Sequence, residues 1–154
     1  VSDIPRLAAW RRHLVEAHAR LRLALEIAQK AASDGADISD ASRDLLLYCH
    51  GFCVALDGHH RGEDAMPFPA LVSQHPESAR VVRMLRQDHD MISMLLSRFD
   101  VGVKSAESPT TIAQHLEGIA AIMESHFRFE ERELEPLLDG LELHAQPGDV
   151  LGPM

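Results

Sequence analysis

Two segments of the chain place a histidine and a glutamate four residues apart: His59 and Glu63 in "HHRGE", and His126 and Glu130 in "HFRFE". On a helix this spacing brings both side chains to one face about a turn apart, so an imidazole nitrogen and a carboxylate oxygen reach the same small volume. His18 and His89 stand in two further segments at positions where the apolar rhythm asks for leucine. Four imidazoles and two carboxylates gathered in an apolar interior cost several kcal/mol per unpaired charge unless a cation sits among them. Imidazole and carboxylate donors, with no thiolate on the inner row at that level, suit iron or manganese better than a structural zinc. Carboxylates on two facing segments can each bridge, so two ions fit the donor count better than one.

A lone histidine on an apolar face is more often a satisfied core residue. Four on four stripes, two with glutamate at i+4, favour metal binding. His60 leaves two readings open. Gly58 and Gly62 could loosen the helix and let it reach the metals from the side, or it supports them by hydrogen bonding. Tyr48 lies roughly 16 Å along the helix from His59, too far to ligate there; it either lines a pocket or packs in the core. Asp64 and Glu131, the acids after the expected bridges, read as solvated or supporting. His13 falls on another face, His50 on the outer side, His75 in a loop and His144 in the tail, and His115 lies about three turns from His126. Cys49 and Cys53 are spaced CxxxC, a weak signal for zinc or redox chemistry, and read as buried reduced thiols.

Helix breakers divide the chain into four periodic segments. The first runs from about Pro5 to Ala32 with the stripe Leu7, Trp10, Leu14, His18, Leu21, Leu25, Ala28, and "SDGADISD" closes it. The second, from about Ala41 to Asp64, carries Leu45, Cys49, Phe52, Leu56, His59 and Glu63, and stops near Pro67 and Pro69. A third extends from around Pro76 to about Val101, with Val81 or Val82, Leu85, His89, Ile92, Leu96 and Phe99. Ser108 as N-cap and Pro109 at the first turn start the fourth, striped by Ile112, Leu116, Ile119, Met123, His126, Glu130, Leu134 and Leu137, with Pro136 bending or ending it. Amphipathic helices of this length on short connections predict an all-α, antiparallel up-down-up-down four-helix bundle over residues 1–141, with 142–154 a loose C-terminal tail. At about 1.5 Å rise per residue the four stripe histidines fall roughly 12 to 20 Å from the same end.

The 154 residues, 45% apolar, suffice for one domain with a sizeable core. A formal charge of -9 argues against nucleic-acid or anionic-membrane partners. No apolar stretch reads as a signal peptide or a membrane span, and the expected location is cytoplasmic. Oligomeric state is not legible.

Across nearly its whole length, through "LVEAHARL", "HHRGEDAMPFPAL", "LRQDHDMISMLL" and "ESHFRFEERELEPLL", the chain resembles the hemerythrin-like family with the HHE cation-binding domain, especially its bacterial single-domain members. The resemblance implies a non-heme di-iron centre, two iron ions held by His18, His59, His89 and His126 with Glu63 and Glu130 as bridging carboxylates. Oxygen-carrying hemerythrins add a fifth histidine on the third helix, a turn from another, and use aspartate as the second bridge. Here Leu85 and Ser93 flank His89 at those positions, and the second bridge is Glu130. A missing ligand leaves room for water, peroxide or nitric oxide. The resemblance therefore points to a small-molecule oxidant, hydrogen peroxide, oxygen or nitric oxide, handled in a catalase-like or peroxidase-like way by a di-iron oxidoreductase. The alternative is a non-enzymatic module that binds or senses oxygen, nitric oxide or iron. The pocket residues expected around the metals are Phe52, Leu56, Ile92, Met123 and Phe127.

Overall fold

Apolar periodicity and proline placement set the elements. A computed structural model of the chain describes residues 4–33, 40–105, 108–138, 141, 150 and 151, without the side chains of 4–9, 33, 40–48, 109 and 135. Helix α1 spans Ile4–Ser33, α2 Asp40–Ala65, α3 Pro67–Gln74, α4 Ala79–Lys104 and α5 Pro109–Leu138, with a 3-10 turn at Pro76–Ser78. No strand occurs among the described residues. Ser108 caps α5 as expected: its Oγ accepts the Thr111 N–H at 3.2 Å. Lys30 and Lys104 stand in the last turns of α1 and α4, where a cation complements the helix dipole.

Helix α3 departs from the sequence expectation, which had only a break between α2 and the next long helix. Pro67, lacking an N–H, ends α2 and also suits the first turn of a new helix, whose Phe68 and Leu71 are buried. Pro76 begins the 3-10 turn, and the third long helix starts at Ala79. Pro136 lies inside α5, which continues to Leu138. The last buried stripe position there is Leu138, four residues after Leu134, with Leu137 only partly buried.

Helix α1 packs on α2 and α5, and α4 packs on the same two, so the four long helices form a ring of neighbours in a helical bundle. Arg22 of α1 ties this ring outside the core, donating Nε to Glu124 Oε2 at 2.8 Å and Nη2 to Glu124 Oε1 at 3.2 Å. Two apolar clusters fill the interior. One holds Leu21, Leu25, Phe52, Leu56, Ile92, Leu96, Leu116 and Met123, and the other Trp10, Leu14, Phe68, Leu71, Val82, Leu85, Leu134 and Leu138. Burying each such side chain contributes about 1.5–3 kcal/mol. Along α1, α4 and α5, and from α2 into α3, the stripe histidines and glutamates fall where one cluster gives way to the other. Of the segment expected as a loose tail, 142–149 and 152–154 lie outside the described residues; Leu151 is buried and Val150 packs against the second cluster.

Candidate metal centre

The level between the two clusters is polar and dry. His18, His59, His60, Glu63, His89, His126 and Glu130 are each at most 4% exposed, so their polar atoms must find partners within the protein. On the outer side they do. His18 Nδ1 donates to Glu131 Oε1 at 2.9 Å, His89 Nδ1 to Asp64 Oδ1 at 2.9 Å, and His126 Nδ1 to Asp88 Oδ2 at 3.2 Å. His59 Nδ1 donates to the Leu151 carbonyl at 2.7 Å. Carboxylates and carbonyls only accept, so each of these four rings carries its proton on Nδ1 and turns the Nε2 lone pair inward.

Inside, the lone pairs face each other. His18 Nε2 lies 3.1 Å from His59 Nε2, and His89 Nε2 lies 3.1 Å from His126 Nε2. Two acceptors at that distance repel unless a cation stands near both. The carboxylates run between the two imidazole pairs: Glu63 Oε1 is 2.9 Å from His59 Nε2 and 3.9 Å from His89 Nε2. Glu130 Oε2 is likewise 3.6 Å from His18 Nε2 and 3.5 Å from His126 Nε2. Glu63 Oε1, both Glu130 oxygens and His60 Nε2 make no hydrogen bond, although each is buried. Three carboxyl oxygens and one imidazole nitrogen without partners in one small volume are costly by themselves and are the kind of donor set a cation needs.

Electrostatics point the same way. Burial pushes the Glu63 carboxyl up to about 8, and burial together with the nearby Glu63 raises Glu130 well above the carboxylate range. Burial also drives His18 and His60 well below the imidazole range, lowers His59, and takes His89 to about 2. The His18, His59, His60 and His89 imidazoles are thus neutral and supply no cation to offset the carboxylates. Three donor groups each converge within 4.8 Å and can hold a metal ion: His60 with His89 and His126, His18 with His59 and Glu63, and Glu63 with His89 and Glu130. Phe127 stacks on His18 with centroids 3.8 Å apart, and Phe68 lies 5.5 Å from His89, so aromatic rings wall the site. Phe52, Leu56, Ile92 and Met123 are buried as expected.

The six stripe residues singled out in the sequence come together here. His60 joins them, stacked on His89 at 3.9 Å, and it does so without loosening the helix, since α2 stays α-helical through Gly58 and Gly62. The side chain of Tyr48 lies outside the described residues. Asp64 and Glu131 are not solvated bystanders, since each orients a histidine of another helix and is paired outside in turn: Arg86 Nη2 donates to the Asp64 carbonyl at 3.0 Å, and Arg22 Nη1 lies 3.6 Å from Glu131 Oε1. Sequence reasoning missed Asp88 and the Leu151 carbonyl. An acid adjoining a stripe residue, as in "DH" at 88–89, was the available signal for the first; a backbone carbonyl leaves none. His50 is exposed as expected, whereas His13 is 9% exposed and therefore buried. Cys49 and Cys53 are free, and burial raises their thiols to about 11 and about 12, which keeps them protonated and outside the donor set.

No curated protein and no solved structure matches the chain. Among the described residues no helix is long and apolar enough to cross a membrane. The family model described as the hemerythrin HHE cation binding domain matches residues 11–138, a span that holds all seven buried histidines and glutamates of this level and three of the four acceptors outside it. The chain belongs to the hemerythrin HHE cation-binding domain family.

Proposed function

We propose that this chain is a two-iron protein that reacts with hydrogen peroxide, oxygen or nitric oxide, handling the oxidant in a catalase-like or peroxidase-like way. The observation that carries the reading is the pairing of donors. His18 faces His59, His89 faces His126, and Glu63 and Glu130 each run from one pair to the other. One ion per imidazole pair, with both carboxylates shared, accounts for every orphaned oxygen. His60 completes the His89 and His126 side as a third nitrogen, so the ligand set is His18, His59, Glu63, His60, His89, His126 and Glu130. When bound, iron supplies one-electron redox change and Lewis acidity. The protein supplies the rest: Asp64, Asp88, Glu131 and the Leu151 carbonyl hold the imidazoles in the ligating tautomer, and Phe127, Phe68 and the apolar clusters keep bulk water away.

The topology follows from the same layers. Passing along α1 and α4, the chain meets the Trp10 cluster, then the polar level, then the Phe52 cluster; along α5, and from α2 into α3, the order reverses. That alternation supports an antiparallel up-down-up-down four-helix bundle, with α3 as an addition, in one domain over 1–141. The free thiols accord with a cytoplasmic location, and the acidic charge with small-molecule rather than nucleic-acid partners. The test is to add hydrogen peroxide to iron-loaded protein and follow oxygen release and oxidation of an added phenolic donor. Turnover well above that of free iron at equal concentration is expected. A reversible spectral change without turnover would replace the enzyme by a binding or sensing module.

A further inference from the structure

The acids outside the site follow an order around the ring of helices. Asp64 on α2, beside Glu63, orients His89 on α4; Asp88 on α4, beside His89, orients His126 on α5; Glu131 on α5, beside Glu130, orients His18 on α1. The next step, an acid on α1 orienting His59 on α2, is missing, because Ala17 and Ala19 flank His18. The chain supplies that acceptor from near its C-terminus. The Leu151 carbonyl takes the His59 Nδ1 proton at 2.7 Å in a buried contact, and the Leu151 side chain, 3% exposed, is anchored among Trp10, Leu14 and Leu138.

Helix α2 is cut to receive this segment. A Cβ on Gly62 would collide with the Val150 carbonyl oxygen and lie 2.8 Å from its carbon, whereas a Cβ on Gly58, one turn earlier, would meet nothing within 4 Å. Gly62 costs the helix stability relative to alanine, and the close approach of Val150 explains its place. Leu151 also walls a cavity of about 10 Å³ that reaches Glu63 and Glu130.

Resting on the two-iron reading above, we infer that Val150–Leu151 is a working part of the metal centre: the Leu151 carbonyl is the positioning group for His59, and Gly62 exists to admit it. Loss of an outer acceptor of a metal-bound histidine weakens binding about 10–100-fold. The effect falls on one ion of the two, the one shared by His18 and His59, whereas a merely structural segment would weaken both ions alike.

The test compares the whole chain, a chain ending at Asp149, Gly62→Ala, and Gly58→Ala as the matched helix control. Each is loaded with ferrous iron, checked for helix content by circular dichroism, and challenged with a chelator while iron release is followed. Wild type and Gly58→Ala should release two irons slowly. Gly62→Ala and the shortened chain should release one iron at least about tenfold faster and keep the other. Gly62→Ala in the shortened chain should add little further, since the three atoms nearest the added Cβ all belong to Val150. Two irons leaving Gly62→Ala as slowly as wild type would overturn the role of Leu151 and leave the two-iron reading intact. Equal acceleration of both irons in Gly62→Ala would also overturn it, and that outcome is decisive even where the shortened chain does not fold. A wild type that binds no iron would instead remove the two-iron reading itself.

Discussion

Glu63→Gln should make the metal-free protein more stable and the metal-loaded protein less stable. In the folded chain burial holds the Glu63 carboxyl near 8 against an ordinary value of 4.5, so the folded state keeps a proton that the unfolded state releases above 4.5. A raised folded value contributes nothing adverse below 4.5, costs progressively more as pH rises, and reaches its full cost above about 8. At pH 7 that cost is about 3 kcal/mol. Glutamine keeps the shape, has no proton to hold, and can donate its amide to the orphaned Glu130 oxygens, so most of the 3 kcal/mol should return. The advantage of the metal-free variant over metal-free wild type should widen by roughly 2 kcal/mol between pH 6.5 and 8, because the buried imidazoles contribute alike to both proteins and cancel in the comparison. Added ferrous iron at a hundred times its dissociation constant should lift wild type by about 2.7 kcal/mol and lift the variant far less. Urea unfolding with and without chelator measures both. A metal-free Glu63→Gln protein less stable than wild type by about 1 kcal/mol or more at pH 7 would refute the reasoning, because it would make Glu63 an ordinary stabilising core residue.

Asp64→Ala, Asp88→Ala and Glu131→Ala should each lower metal affinity about 10–100-fold in a competitive chelator titration, and unchanged affinity would show that the histidines need no outer acceptor. His60→Phe should keep the ring stack on His89 while removing the unpartnered Nε2; one of two ions should bind at least about tenfold more weakly, and wild-type affinity for both would reduce His60 to packing. Cys49 is buried and Cys53, against expectation, only partly so; both should react slowly with thiol reagents at pH 8 in the folded protein and faster in urea, since their thiols are held at about 11 and about 12, and prompt reaction of Cys49 in the folded state would contradict its burial.

The stripe histidines and glutamates were legible because a helix face able to hold a metal must repeat at the same spacing as a core face, so a histidine or glutamate at a leucine position stands out. His59 and Glu63, like His126 and Glu130, share one turn, and that local geometry survives into the folded structure. Asp88 was not legible in the same way. It orients a histidine 38 residues away on another helix, a relation fixed by how α4 meets α5 and by no periodicity within either. Helix α3 was hidden because eight residues containing two prolines look like a break, and its identity as a helix rests on Phe68 and Leu71 finding the second apolar cluster. The Leu151 carbonyl carries no residue identity, so only its position in space reveals it. Gly62 was noticed for the wrong reason: its value is the room it leaves for Val150, and the helix through it stays regular.

On the proposed function, Glu63 and Glu130 hold two ions between two imidazole pairs. The most direct measurement of this is iron per folded chain, in wild type and in a Glu63→Ala, Glu130→Ala double variant grown with ample iron. About two irons in wild type, falling sharply in the double variant at unchanged helix content, is the predicted result. Wild type without bound metal, or a double variant that still carries two irons, would contradict it.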